Sequence, residues 1–384
     1  MAYQTQRLYY ENNKLFSFEA TVLDCIPLEN GFGVILDRTA FFPEGGGQGG
    51  DTGFLNGIPV KDTVETEQGV LHKTDAAISA GEAVRGEVSA ALRLKRMGAH
   101  TGEHILSSVV HRRFGYDNVG FHLGEKSMDV DFNGEFTKAQ LKEIELEVNA
   151  IIRENVPVRC YYPSAEELKN IPYRSKLELE SPRIVEIVGY DYCACCAPHA
   201  SATGEVGYLV ILGAERNRQN VRLTVLAGED ACAYAAEVYA SAQSAGALLS
   251  CKPYEVGEAV AKQMDNIEKL RKELLETRFA LTKTQIESLP TTEGFIVAFT
   301  AAFALKDVLN AALEKAGRGA CVFAQTEGGY TYMIASQTED VRPLAALLNE
   351  RFQGKGGGKP QSVQGRLQGE ESAIRALVEN YART

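Results

Sequence analysis

Up to about residue 88 the apolar positions come in short runs, as in TVLDCIPLENGFGVILDRTAFF, broken by turn residues such as Asn30-Gly31. That spacing predicts strands. Asn56-Gly57 inside GFLNGIPVKDT predicts a hairpin. Between these lies PEGGGQGGDTG, residues 43–53, a glycine loop whose backbone can adopt angles closed to other residues. Near Ala90 the period changes. Leu94, Met97, Ile105, Val109 and Val110 recur at helical spacing, which predicts a helix over 90–113 ended by Gly115. SMDVDF alternates Met128, Val130 and Phe132 as a strand does, and TKAQLKEIELEVNAIIRENV before Pro157 reads as an amphipathic helix. RIVEIVGYDYCACCAPHA predicts a strand running into a tight turn, and GYLVILGAERNRQNVRLTVLAG two more strands.

From about Gly228 the pattern is helical. A first helix is followed by EVGEAVAKQMDNIEKLRKELLETRFALTKTQIESL, with apolar residues three and four apart and charges elsewhere. This predicts a long, exposed, coiled-coil-like arm that Pro290 terminates. Beyond it FIVAFT, ACVFAQ and YTYMIAS read as strands, and 303–316, 340–352 and 370–382 as helices. GKGGGKPQSVQG, residues 354–365, reads as a loop between the last two helices. The divisions fall at 1–88, 89–228, 229–290 and 291–384.

The composition adds limits. Hydrophobic residues make up 45% and charged residues 24% of 384, an ordinary globular balance. There is no apolar run of membrane-spanning length and no secretory leader pattern, so the expected location is cytoplasmic. The net charge of −11 argues against a general nucleic-acid-binding face. Local basic groups remain: Arg93, Lys95 and Arg96; Arg112 and Arg113; Arg216, Arg218 and Arg222; Lys355, Lys359 and Arg366.

Candidate chemistry concentrates in two segments. His100 and His104 are i and i+4 on the predicted helix and share one face. Cys195 and His199 form a Cys-x-x-x-His turn. A thiolate with imidazoles suits Zn²⁺, so the two segments supply a tetrahedral His₃Cys set for one ion per chain. Cys193 and Cys196 are near enough to replace Cys195 as the sulfur donor. His72, His111 and His122 read as packed or exposed histidines.

RLKRMGAHTGEHIL and CCAPHASATGEVG together resemble the paired zinc motifs of the alanyl-tRNA synthetase editing domain. FFPEGGGQGGDTG resembles that domain's glycine motif in the form typical of freestanding alanyl-tRNA editing proteins of the AlaX type. GKGGGKPQSVQG resembles the signature of the DHH-associated C-terminal domain of the long forms. The turn departs from the family pattern, since Cys196, Ala197 and Pro198 stand where two glycines and a threonine are usual. The resemblance covers nearly the whole chain and implies a trans-acting editor rather than a ligase. The architecture it implies is α+β: a small N-terminal β-barrel, a zinc-containing editing domain, a helical arm and a small α/β C-terminal domain.

The implied activity is zinc-dependent deacylation of tRNA(Ala) charged with serine or glycine. Alternatives are a tRNA-binding module with structural zinc, or a deacylase for another aminoacyl-tRNA. The resemblance places Thr39 in the amino-acid pocket. Gln48 can both donate and accept, and the backbone of Gly45, Gly46 and Gly47 can approach the acyl carbonyl or terminal adenosine. Lys355, Lys359 and Arg366 are expected at tRNA phosphates. A homodimer through the arm or the C-terminal domain is a further expectation.

Overall fold

The computed structural model describes residues 3–175 and 179–383. The fold is mixed α+β and divides into two compact units, residues 1–244 and 245–384.

In the first unit, Ser17–Leu28 begins with strict alternation. Phe18, Ala20 and Val22 are buried, while Glu19 and Thr21 face out. Ala83–Val88 does the same with Val84 and Val88. Strands that bury one face can be covered by closing the sheet on itself. The order Ser17–Leu28, Gly31–Leu36, Gly69–Thr74, Ile58–Thr66, Gly53–Leu55, Ala83–Val88 closes back on itself as a barrel. Its core includes Val34, Leu36, Phe41, Leu55 and Val84.

The next layer is a four-stranded antiparallel sheet in the order Leu209–Asn217, Asn220–Ala227, Met128–Phe132, Asn118–Leu123. Against it pack the helices Ala90–Phe114 and Lys138–Glu154, through Ile105, Val109, Ile144 and Val148. Thr137 and Gln140 form a capping box at the start of the second helix. Gly115, in the left-handed region at φ +70°, stops the first helix, its N–H bonded to His111 O. A three-stranded sheet, Val158–Tyr161, Ile184–Ile187 and Asp191–Ala194, carries the cysteine-rich turn at its end.

In the second unit five strands run in the order Phe295–Thr300, Gly319–Thr326, Gly329–Ala335, Ser362–Leu367, Lys355–Lys359, with only the first pair parallel. Gly319–Thr326 is buried on both faces. Cys321 and Phe323 join one core with Leu344 and Ile374, and Ala320 and Val322 join another with Val308 and Leu309. The helices are Leu305–Lys315, Arg342–Arg351 and Glu371–Tyr381. The arm is one helix, Val256–Glu287, in which Thr282 alone is buried among the described residues.

The segment 354–365, read from sequence as a loop, is mostly strand: it forms a hairpin, Lys355–Lys359 with Ser362–Leu367. Its glycines hide the alternation that marks a strand. Their role is packing: a Cβ at Gly356 would lie 2.5 Å from the Tyr332 hydroxyl beneath it. That hydroxyl donates to Asn349 Oδ1 at 2.9 Å. Among the described residues no helix is long and apolar enough to cross a membrane.

Candidate metal centre

The helix Ala90–Phe114 is buried along most of its length from Met97 to Val110, so its two histidines project into the interior. The turn after Asp191–Ala194 brings Cys195 and His199 to meet them. One donor atom from each of His100, His104, Cys195 and His199 lies within 4.8 Å of all the others. Cys195 Sγ is 3.6 Å from His100 Nε2 and 3.4 Å from His199 Nε2. Tetrahedral zinc with bonds of about 2.0–2.3 Å separates its ligands by about 3.3–3.8 Å, so the two sulfur–nitrogen spacings fit that ion.

The groups behind the donors also fit. Gln48 Oε1 accepts from His100 Nδ1–H at 3.2 Å, which leaves Nε2 as a lone pair facing the centre. His199 Nδ1 meets Thr101 Oγ1 at 3.2 Å, and the same oxygen accepts Ala200 N–H at 3.0 Å. Arg183 Nη1 holds the carbonyls of Cys195 and Ala197 at 3.0 and 2.9 Å, and Asn13 Nδ2 holds His199 O at 2.6 Å. Burial pushes the Cys195 thiol up, and burial with the neighbouring imidazoles pushes His199 well down. Each shift disfavours charge on these side chains, and a bound cation would reverse the balance at sulfur.

Of the three clustered cysteines, Cys195 joins the set. Cys196 is exposed, its Sγ facing Gly45 and Gly46, and Cys193 sits half-buried in the strand.

The glycine motif lies against this centre. Gly45 and Gly46 face Cys196, Gly46 also faces His100, and the Phe121 ring is tilted against His100 at 4.8 Å between ring centres. Gly47 is in the left-handed region at φ +80°, and a Cβ there would fall 2.6 Å from Phe121 O. Gly45 N–H donates to Gln48 O at 3.0 Å, so it is already committed. Gln48 is 0% exposed, and its Nε2 has no partner among the described residues. A buried amide donor without a partner costs about 1–3 kcal/mol, a cost that a substrate acceptor can offset.

Thr39 is elsewhere in the barrel. It is 0% exposed, with Oγ1 at 2.8 Å from His72 Nε2 and accepting Phe41 N–H at 3.1 Å. His72 Nδ1 donates to Val34 O at 2.9 Å, and burial lowers this histidine to about 4. The ring is therefore neutral with its proton on Nδ1, and the Thr39 hydroxyl must donate to Nε2. The remaining capacity of Oγ1 is as an acceptor.

Arg93 is no part of a basic surface. It is fully buried, with Nε 2.9 Å from Asp51 Oδ2 and Nη2 on the same oxygen and on Ala40 O, tying the barrel to the histidine helix. Sequence reading missed this clamp, His72 as the partner of Thr39, and Arg183 and Thr101 behind the ligands. Thr101 stands inside HTGEH and Asp51 inside the glycine motif, so a local signal existed for those two. Lys355, Lys359 and Arg366 are all exposed, on the C-terminal hairpin of the second unit.

Residues 2–92 match the family model of class II tRNA synthetases (A), and residues 183–224 match the threonyl and alanyl tRNA synthetase second additional domain. The chain is 28% identical to the alanyl-tRNA editing protein Aarsd1 of Danio rerio, over 99% of this chain and 96% of that protein. It is 29% identical to the alanyl-tRNA editing protein AlaX-L of Pyrococcus horikoshii, over 96% of each. It is 31% identical to the alanine–tRNA ligase of Halorubrum lacusprofundi over 72% of this chain, but spans only 32% of that ligase.

Proposed function

The chain belongs to the AlaX-type alanyl-tRNA editing proteins, and we propose that it hydrolyses tRNA(Ala) wrongly charged with serine, and with glycine, using one zinc ion. The observation that carries this reading is the meeting of His100, His104, Cys195 and His199 beside a buried amide, Gln48 Nε2, that lacks a partner among the described residues.

The substrate is an ester, and its hydrolysis needs charge stabilisation at the carbonyl oxygen and exact placement of the acyl group. A zinc ion held by the four residues would supply positive charge beside that carbonyl. Gln48 Oε1 fixes His100, and its Nε2 donates to the oxygen on which negative charge develops. Gly46 leaves room for the acyl group beside the centre because it carries no side chain, while Gly47 lets the loop close against Phe121. Thr39, its own proton held by His72, meets a substrate hydroxyl as an acceptor. Serine offers such a donor and alanine does not. Around alanine the second lone pair of Oγ1, beyond the one that accepts Phe41 N–H, gains no donor, so serine is favoured over the correct product.

One observation favours a second reading. Four protein donors fill a tetrahedron, the arrangement of a structural zinc site. A tRNA-binding module without hydrolysis would have such a centre. Deacylation time courses on purified Ser-, Gly-, Ala- and Thr-tRNA separate the readings. Editing requires Ser-tRNA(Ala) to be cleared faster than Ala-tRNA(Ala), and no cleavage of any of them sinks it.

The second unit serves tRNA holding and self-association in this proposal. Lys355, Lys359 and Arg366 supply phosphate contacts. Val260, Ile267, Leu274 and Leu281 recur every seven residues along the arm and are exposed, a seam suited to a second copy.

A further inference from the structure

Gly46, at φ +61°, turns the place of its missing side chain toward the histidine cluster. A carbon set where its Cβ would be lies 3.6 Å from Cys196 Sγ, 3.7 Å from His100 Cε1 and 3.9 Å from Ala197 Cβ. Those are ordinary van der Waals distances, so the slot beside Gly46 takes one carbon-sized atom between three neighbours. A carbon at the same place on Gly45 also meets Cys196 Sγ, at 3.7 Å. One sulfur atom thus faces both glycines. His100 and Ala197 are buried and Cys196 is exposed, so the Cys196 side chain is the wall on the solvent side.

That wall stands on a turn fixed from both ends. Arg183 Nη1 donates to the carbonyls on either side of Cys196, those of Cys195 and Ala197. The Arg183 guanidinium in turn lies 5.1 Å from the centre of the Tyr10 ring. Ala197 packs with Tyr9 and Phe42. Moving Cys196 outward therefore means disturbing a buried arginine, a packed cluster and the neighbouring ligand Cys195. Close-packed surroundings of this kind yield little to a larger group.

Selection of serine needs a limit of this sort. The Thr39 acceptor favours serine over alanine, but threonine carries the same hydroxyl and a methyl besides. An acceptor for the hydroxyl cannot reject it. Lack of room for the methyl can.

We infer that Cys196 sets the upper size limit of the acyl pocket, so that glycine and serine are admitted and threonine is turned away. The inference rests on the editing function proposed above. An acyl group seated beside Gly46 already touches the sulfur with its first carbon, and a further methyl on that side has no place unless the wall moves. Cys196 acts here by its bulk and position, and the metal-type centre keeps Cys195 as its sulfur donor.

The test measures kcat/KM on tRNA(Ala) charged with serine and with threonine, in the zinc-loaded full chain and in its Cys196→Gly variant. The unaltered protein should prefer serine. Cys196→Gly should raise the threonine value and narrow the serine-to-threonine ratio about tenfold or more, the worth of one methyl against a packed wall. Damage to the fold does not produce a gain of that kind. Cys196→Ala, which removes only the sulfur, should shift the ratio in the same direction and decides the matter if the glycine variant does not fold. Equal values for serine and threonine in the unaltered protein, or a ratio that the substitutions leave as it was, overturns the inference. If the unaltered protein clears neither ester, the editing function falls instead. Calorimetric titration with the amide-linked seryl and threonyl analogues of 3′-aminoacyl-adenosine then decides the wall alone: a preference for the seryl analogue that Cys196→Gly narrows supports it, and equal binding or none refutes it.

Discussion

Gln48 joins the glycine motif to the metal-type centre, and its two ends do different work. Oε1 holds His100 Nδ1–H at 3.2 Å, whereas Nε2 is buried without a partner among the described residues. Gln48→Leu removes both ends at similar volume. Loss of a group that orients a metal-ligating histidine costs about 10–100-fold in metal affinity or activity. Loss of an oxyanion donor costs about 10²–10³-fold in kcat. Gln48→Glu separates the two, because a carboxylate still accepts from His100 but cannot donate. The leucine variant should bind zinc about 10–100-fold more weakly, measured by chelator competition. The glutamate variant should keep its zinc and still lose about 10²-fold or more in kcat on Ser-tRNA(Ala) under single-turnover conditions. Removing the unpartnered donor also lifts a cost of about 1–3 kcal/mol, so metal-free Gln48→Leu should unfold no earlier than the parent in urea. Unchanged zinc affinity in the leucine variant would refute the link to His100. Parental kcat in the glutamate variant would refute the donor role.

Other expectations follow from the same contacts. Cys195→Ala should abolish stoichiometric zinc by elemental analysis and Cys196→Ala should not; the reverse result would move the sulfur ligand. Thr39→Val should slow Ser-tRNA(Ala) hydrolysis about ten- to a hundredfold with zinc content intact, since one lost acceptor is worth about 1–3 kcal/mol. Equal rates on Ser- and Ala-tRNA in both proteins would remove Thr39 from the site. His72 is held at about 4 against an ordinary 6.5 by burial, so the unfolded chain binds the extra proton between those values. The stability His72 contributes is whole above pH 6.5 and is lost as pH falls toward 4, a slope worth up to about 3 kcal/mol that His72→Gln should remove from urea unfolding. Replacing Lys355, Lys359 and Arg366 together by Ala should weaken tRNA binding and flatten its salt dependence; an unchanged salt slope would take the hairpin out of the interface.

What the sequence disclosed depended on how local each signal was. The helix expected over 90–113 is found at Ala90–Phe114, because the glycine at its end and the spacing of its apolar residues are read within a few turns. His100 and His104 share a face for the same reason. That Cys195 stands with them, and not Cys193 or Cys196, depends on a turn fixed by Arg183, which spacing does not reveal. Arg93 was grouped with Lys95 and Arg96 because they are neighbours in the chain. Its partner Asp51 lies 42 residues away, and only the fold unites them. The Lys355–Lys359 strand was illegible because glycines erase the alternation of side chains, and its requirement for glycine comes from Tyr332, a residue of another strand.

The arginines and lysines of this chain divide the electrostatic work, which bears on how a protein of net charge −11 would hold RNA. Several arginines are paired within the chain, Arg93 with Asp51 and Arg174 with Asp191 in the interior, and Arg112 with Glu147, Arg113 with Glu143 and Arg222 with Asp131 at or near the surface. The buried pairs cannot meet a phosphate without breaking, and the exposed ones are partly neutralised by their carboxylates. Lys126, Lys355 and Lys359 are exposed and without ion pairs among the described residues. At physiological salt, charges more than about 8 Å apart are largely screened, so the excess carboxylates elsewhere do little to cancel these local fields. An acidic chain would then hold a polyanion where exposed lysines sit beside a shaped surface, its distant carboxylates being screened. Binding of that kind weakens steeply with salt at those few lysines and is indifferent to substitution of the paired arginines, provided the fold survives.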